Sequence, residues 1–251
     1  MKLQLIRSAT LRITYGNHCF LIDPYFAEKF SRPSFAGKSN NPLVDLPFSP
    51  TEIISGVEMV LVSHLHSDHF DPAAQEILSK EIPLLCQSED ESDIRKIGFR
   101  YVCPINEKYD WNGIHVHRIP GKHGTGVVLE EMGIVSGFLL EANEEPSIYW
   151  TGDTILCDEV REVIIRKKPK VVITHSCGAE WGSHVKIVMD EIQTIEVCKM
   201  APQSIVIATH MEAVDHATVS RNSLREYARR NGIKDEQLII PTDGETVSFA
   251  L

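Results

Sequence analysis

The segment SHLHSDHFDP, Ser63 to Pro72, gathers His64, His66, Asp68, His69 and Asp71 directly behind the apolar run VEMVLV. On an extended strand end, residues i and i+2 point to one side, so His64 and His66 can reach one cation together. Once the chain turns, Asp68 and His69 can face a second position. Imidazole and carboxylate suit Zn²⁺ and related divalent ions, and a shared carboxylate can bridge two of them. An uncompensated cluster of buried charge is costly, and metal coordination removes that penalty. Two ions sharing a water would lower its pKa toward about 7 and act as Lewis acids on the group under attack. The chemistry expected is metal-dependent hydrolysis. A solvated polar loop is the plain alternative for the segment taken alone.

The elements that must position such groups follow from the apolar pattern. KLQLIR, LRITY and HCFLID read as strands, with Gly16-Asn17 as a type II′ turn. Residues 27–50 are rich in Ser, Asn and Pro. A loop of that length inside a compact domain is expected to have a task, here to overhang the metals and set specificity. Ser49-Pro50-Thr51-Glu52 reads as a capping box, and Asp71-Pro72 as the cap of a helix over AAQEILSK. VEMVLVS, PLLC, FRYVCPI, GIHVHRI, GFLLEAN, SIYWTG, PKVVIT, SIVIAT, QLIIP and ETVSF read as strands. DEVREVIIRKK, DEIQTIEVCKM and TVSRNSLREYARRNG read as helices, the last closed by Gly232. Hairpins leading each half and βα units behind them predict an α/β (α+β) architecture of two mixed sheets with helices outside.

Three strands end alike, in LVSH64, VITH175 and IATH210. A fourth ends WTGD153, and IPGKHGTG sets His123 in a glycine-rich loop. Ligands gather at the carboxyl ends of strands in such architectures. These groups are therefore expected to converge on one edge.

A chain of 251 residues supports one large domain, taken as 1–251. The net charge of −10 argues against a nucleic-acid or anionic-membrane partner, and no run approaches the length of a membrane span. Six scattered cysteines without a CxxC pair suggest a cytoplasmic protein with buried, reduced thiols. No Walker-type or GxGxxG motif supports a nucleotide cofactor. A small-molecule substrate is expected.

The pattern His64-Leu65-His66-Ser67-Asp68-His69, with LIDPYF before it and PGKH, TGDT and ATHMEA after it in order, resembles the metallo-β-lactamase superfamily over almost the whole length. The loop rich in Gly, Asn and Pro and the ending PTDGETVSF resemble the branch that contains L-ascorbate-6-phosphate lactonase. The resemblance implies an αββα sandwich with metals at one edge. It implies that His64, His66 and His123 hold a first metal, that Asp68, His69 and His210 hold a second, and that Asp153 bridges. Asp68 would also be catalytic, orienting the attacking hydroxide. Zn²⁺ is the first expectation, with Mn²⁺ or Fe²⁺ as alternatives. Lactone-like esters lead as polar or anionic substrates. A phosphodiesterase acting on a small or lipid phosphodiester, and a non-catalytic metal-binding protein, are the alternatives. A homo-oligomer is one assembly the resemblance allows. The chain departs from the branch at Arg7-Ser8-Ala9-Thr10 and at 210–216.

Asp23 is expected to fix the tautomer of a ligand histidine. His175 could meet substrate or bond to backbone in the following loop, and the residues do not choose. His184, Glu212 and His216 are expected to support their loops. His115 and His117 share a strand face without partner ligands, and His18 reads as surface. Lys122 and Arg118 could meet an anionic substrate, although solvated charge is the commoner outcome.

Overall fold

The structure, a computed structural model, describes residues 1–249. Residues 250 and 251, the end of the expected 1–251 domain, lie outside the described residues.

The first sheet is built from β1 (Lys2–Arg7), β2 (Thr10–Tyr15), β3 (His18–Ile22), β4 (Met59–Val62), β5 (Leu84–Gln87) and β6 (Val102–Ile105). The second uses β7 (Lys108–Trp111), β8 (Ile114–Pro120), β9 (Ser136–Ala142), β10 (Ile148–Trp150), β11 (Val171–His175), β14 (Ile205–Thr209) and β15 (Leu238–Ile239). A small hairpin of β12 (Glu180–Trp181) and β13 (Val185–Lys186) stands apart, and β16 (Thr246–Ser248) returns to the first sheet. The strand orders are β16-β1-β2-β3-β4-β5-β6 and β15-β14-β11-β10-β9-β8-β7. Each sheet is antiparallel where hairpins build it and parallel where helical crossovers do.

Period-two alternation places the layers. Met59 and Leu61 of β4 face the second sheet, as do Leu3, Leu5, Leu11 and Ile13, where they meet Phe138, Leu140, Trp150, Ile173 and Ile207. Val60 and Val62 turn outward. They pack under α1 (Pro50–Ile54), α2 (Pro72–Ile77) and α3 (Glu91–Lys96). Leu139, Val172 and Val206 face outward from the second sheet toward α4 (Gly126–Met132), α5 (Asp158–Lys167), α6 (Glu191–Met200) and α7 (Arg221–Arg230). This is the expected αββα sandwich.

The caps on α1 and α2 are those the sequence predicts. Ser49 and Glu52 form the reciprocal capping box, and Asp71 accepts from the amides of Ala73 and Ala74. Three details differ. Gly16 and Asn17 both take positive φ, at 56° and 64°, which makes a type I′ turn instead of type II′; its twist matches that of the flanking strands. The segment GVVLEEM forms α4, which its glycine-rich approach hides. The loop after β11 folds into the β12–β13 hairpin. Both bear on the site, because α4 ends in Met132 and β12 carries Trp181.

Candidate metal centre

The site lies where β4, β11 and β14 end. His64 follows β4 directly, His175 closes β11, and His210 follows β14. His210 has a left-handed φ of 61°, which ends the strand, and its amide donates to Ser8 O at 2.9 Å. Ser8, Asp23 and Glu212 also hold positive φ. Strain of this kind, at about 1–3 kcal/mol per residue, persists where surrounding structure fixes it and gathers at functional sites. Asp153 is set by Gly152, whose φ is +64° and where a Cβ would lie 2.5 Å from Ser136 O. Only glycine fits that turn.

The seven residues expected as ligands come together. Their donor atoms form overlapping groups, His64/His66/His123, His64/His69/Asp153 and Asp68/His69/His210, each with all atoms within 4.8 Å of one another. His69 Nε2 lies 3.1 Å from Asp153 Oδ2 and 3.3 Å from His210 Nε2. His123 Nε2 is 3.6 Å from Asp153 Oδ2, and His210 Nε2 is 3.4 Å from Asp68 Oδ2. All but the half-buried His66 are buried.

The neighbours decide which nitrogen each imidazole offers. Asp23 accepts from Ser63 N at 2.8 Å, from Ser63 Oγ at 2.7 Å and from His69 Nδ1 at 2.6 Å. With the Ser63 hydroxyl donating to Asp23, it can only accept from His64 Nδ1, 2.8 Å away. One carboxylate thus holds a proton on Nδ1 of both rings and turns both Nε2 atoms toward the site. His123 Nδ1 donates to Ile187 O at 2.8 Å with the same effect. Asp23 therefore sits where the sequence suggested, with Ser63 as an unexpected go-between. His175 bonds neither to backbone nor to the pocket. Its Nδ1 donates to Asp153 Oδ1, and its Nε2 accepts from Trp150 Nε1.

The residues present fit divalent cations. His64 Nε2 is buried without any hydrogen-bond partner, an expensive state for a neutral nitrogen unless a cation takes its lone pair. Burial pushes the His64 pKa well down and that of His123 to about 4, so both stay neutral as ligands must. His69 goes the other way. Burial opposes its charge, but Asp153, Asp23 and Asp68 outweigh that and raise it to about 10. His210 is raised too, against burial, chiefly by Asp153. Protons on these two rings stand in for positive charge that the carboxylates demand.

The remaining histidines and cations divide cleanly. His18 pairs with Glu58, His115 with Asp110, His117 with Glu141 and His184 with Glu180, all away from the cluster. Lys122 pairs with Glu159, Arg118 with Glu89, and Glu212 with Arg221. His216 supports its loop as expected, its carbonyl accepting from Glu180 N, and does more. It lines a cavity of about 250 Å³ together with Asp68, His123, Asp153, Phe35 and Trp181. Its position six residues past His210 was the one sequence signal.

Residues 18–211 match the profile of the family described as "Beta-lactamase superfamily domain". The chain belongs to the metallo-β-lactamase superfamily. Within it, the chain is 34% identical to the UPF0173 protein YddR of Bacillus subtilis, over 99% of this chain and all of that one. A UPF0173 metal-dependent hydrolase of Methanocaldococcus jannaschii is 23% identical over 94% of this chain and 98% of its own. Among solved structures, an isothiocyanate hydrolase from Delia radicum gut bacteria superimposes with a TM-score of 0.93 at 31% identity, covering 100% of this chain and 99% of that one. A "possible metal-dependent hydrolase" from Veillonella parvula gives 0.95 at 33% identity, covering 99% of both chains. This member of the superfamily is a metal-dependent hydrolase. The six cysteines are free, and among the described residues no helix is long and apolar enough to cross a membrane.

Proposed function

We propose that this hydrolase, acting as one domain over 1–251, cleaves small, neutral carbon electrophiles that carry an apolar substituent, with isothiocyanates as the first substrate class. The observation that carries the reading is the cavity beside the cluster. It is walled by Phe35, Met132, Trp181 and Ile187, and neither lysine nor arginine lines it. An apolar pocket with a few convergent polar groups suits a neutral molecule. A phosphate or other anion would be expected to find a guanidinium or ammonium partner. The 31% identity to an isothiocyanate hydrolase over the full chain supports the same direction.

His64, His66 and His123 would hold one divalent cation and Asp68, His69 and His210 a second, with Asp153 between them. Such cations, when bound, supply Lewis acidity and a water of lowered pKa. The balance is R–N=C=S + H₂O → R–NH₂ + O=C=S: the water oxygen bonds to the central carbon, the C–N bond breaks, and both water protons end on nitrogen. Asp68 lines the cavity and is held well below the usual carboxylate range; burial opposes this, but His69 and His210 outweigh it. It is therefore ionised, and as an acceptor-only carboxylate it would orient the attacking water. Phe35, Met132, Trp181 and Ile187 bind the substituent and exclude bulk water. Asp23, Ser63 and Trp150 hold tautomers in place.

A lactone is the second reading, because its neutral ring ester meets the same apolar side chains. Purified protein loaded with Zn²⁺, Mn²⁺ or Fe²⁺ should release carbonyl sulfide and amine from benzyl isothiocyanate, and chelator should stop it. Faster turnover of a phosphodiester than of isothiocyanate and lactone would overturn the reading.

A further inference from the structure

We infer that His216 is a substrate-contacting residue, one that hydrogen-bonds a heteroatom of a small neutral electrophile while the reacting carbon sits over the His/Asp cluster. The inference rests on the proposed reading of the pocket and adds to it the group that orients the molecule.

Outside the cluster, the side chains with polar atoms lining the cavity are Ser67, which is exposed, Trp181, whose indole N–H is taken by Glu131, and His216, which is 7% exposed. His216 Nδ1 is buried and has no hydrogen-bond partner. Leaving a buried polar atom unpaired is costly, and such atoms tend to be explained by a ligand or a role. The contrast with its neighbours is sharp. His64, His69, His123 and His175 each have a tautomer set by an adjacent group, whereas no neighbour fixes a proton on Nδ1 of His216. With Nδ1 buried and its proton unset, a neutral ring can present either a donor or an acceptor at its other nitrogen to what enters the cavity it lines.

The segment carrying the ring is rigid. Leu43 N donates to Ala213 O, Asp215 N to Asn41 Oδ1, and Glu180 N to His216 O. Asp215 itself accepts from the amides of Phe35, Ala36, Lys38 and Ser39 and from the side chains of Ser34 and Asn41. That carboxylate locks the 34–41 loop so that Phe35 meets His216 edge-on, with centroids 4.9 Å apart. The pair forms one wall, apolar at Phe35 and polar at His216. An isothiocyanate or ester needs both, a surface for its substituent and a partner for its nitrogen, sulfur or oxygen.

The test pairs His216→Phe, which keeps the ring and the contact with Phe35, with His216→Gln, which restores a hydrogen-bonding group. With zinc-loaded protein and benzyl isothiocyanate, His216→Phe should lose about tenfold or more in kcat/KM at unchanged metal content and melting temperature, and His216→Gln should recover to within about threefold of wild type. Equal values for the two variants would overturn the inference. A second arm does not need turnover. Imidazole ¹⁵N resonances of the zinc protein are followed while benzylurea, a neutral probe, is added. A saturable shift of the His216 nitrogens supports the contact, and no shift there overturns it. Inactive wild type would sink the isothiocyanate reading, while the resonance still decides the role of His216.

Discussion

The indole Nε1 of Trp150 donates to Nε2 of His175 at 3.1 Å. This bond occupies Nε2 of His175 and leaves the ring proton on Nδ1, facing Asp153, although His175 still has a donor atom within 4.8 Å of donor atoms of Asp153 and His210. His175 is then a support for Asp153. His175→Ala should still load metal at saturation, with metal affinity or activity lower by about 10- to 100-fold. Trp150→Phe should move in the same direction by less. Metal analysis after dialysis, with kcat/KM, checks both. Complete loss of metal in His175→Ala would make the residue a ligand.

Asp23 serves two histidines at once. Asp23→Ala strands the buried Ser63 amide and unfixes His64 and His69, so it should cost about 3 kcal/mol of stability. Cation affinity should fall by about 10- to 100-fold in the same variant. Urea denaturation and a zinc competition titration measure the two effects. Unchanged affinity would refute the tautomer argument.

The pH dependence of the metal-free protein has two arms. The folded-state pKa of His123 is lowered from 6.5 to about 4, so its contribution is present above 6.5 and is lost as pH falls toward 4. His69 is raised from 6.5 to about 10, so its contribution is full below 6.5 and is lost as pH rises toward 10. Stability of the chelator-treated protein should peak near the shared value of 6.5. A bound cation replaces the proton on His69, so saturating zinc should release protons and move the optimum to higher pH. Denaturation series with and without chelator, and calorimetry in buffers of different ionisation enthalpy, provide the readout.

Asp215 acts on the pocket only through the loop it holds. Asp215→Asn puts an amide N–H against backbone donors and should raise KM for benzyl isothiocyanate about tenfold, with a smaller effect on kcat. Phe35→Ala should weaken the same step by a similar amount, roughly the transfer energy of a half-buried ring. Because both act through one wall, the double variant should cost little more than the larger single change. Additive losses would separate the two residues.

Much of the fold was legible because its signals are local. Strand alternation, the Ser49–Glu52 box and the Asp71 cap need only a few consecutive residues. The turn at Gly16-Asn17 was placed correctly but typed wrongly, since its type is set by the twist of the strands it joins. The helix at 126–132 and the hairpin at 180–186 were missed. The first is short behind glycines, and the second is held by contacts with His216 and α4.

The site divides along the same line. Residue types and strand ends marked His64, His66, Asp68, His69, His123, Asp153 and His210 as groups able to bind cations, because ligand chemistry is a property of the side chain, and the family resemblance divided them between two ions. Tertiary structure alone decided which nitrogen His64, His69 and His123 turn to the site, that Ser63 relays Asp23 to His64, that Trp150 bonds Nε2 of His175 while Nδ1 meets Asp153, and that His216 lines the pocket. Those outcomes depend on distances of about 3 Å between residues far apart in the chain, a scale at which hydrogen bonds form or fail.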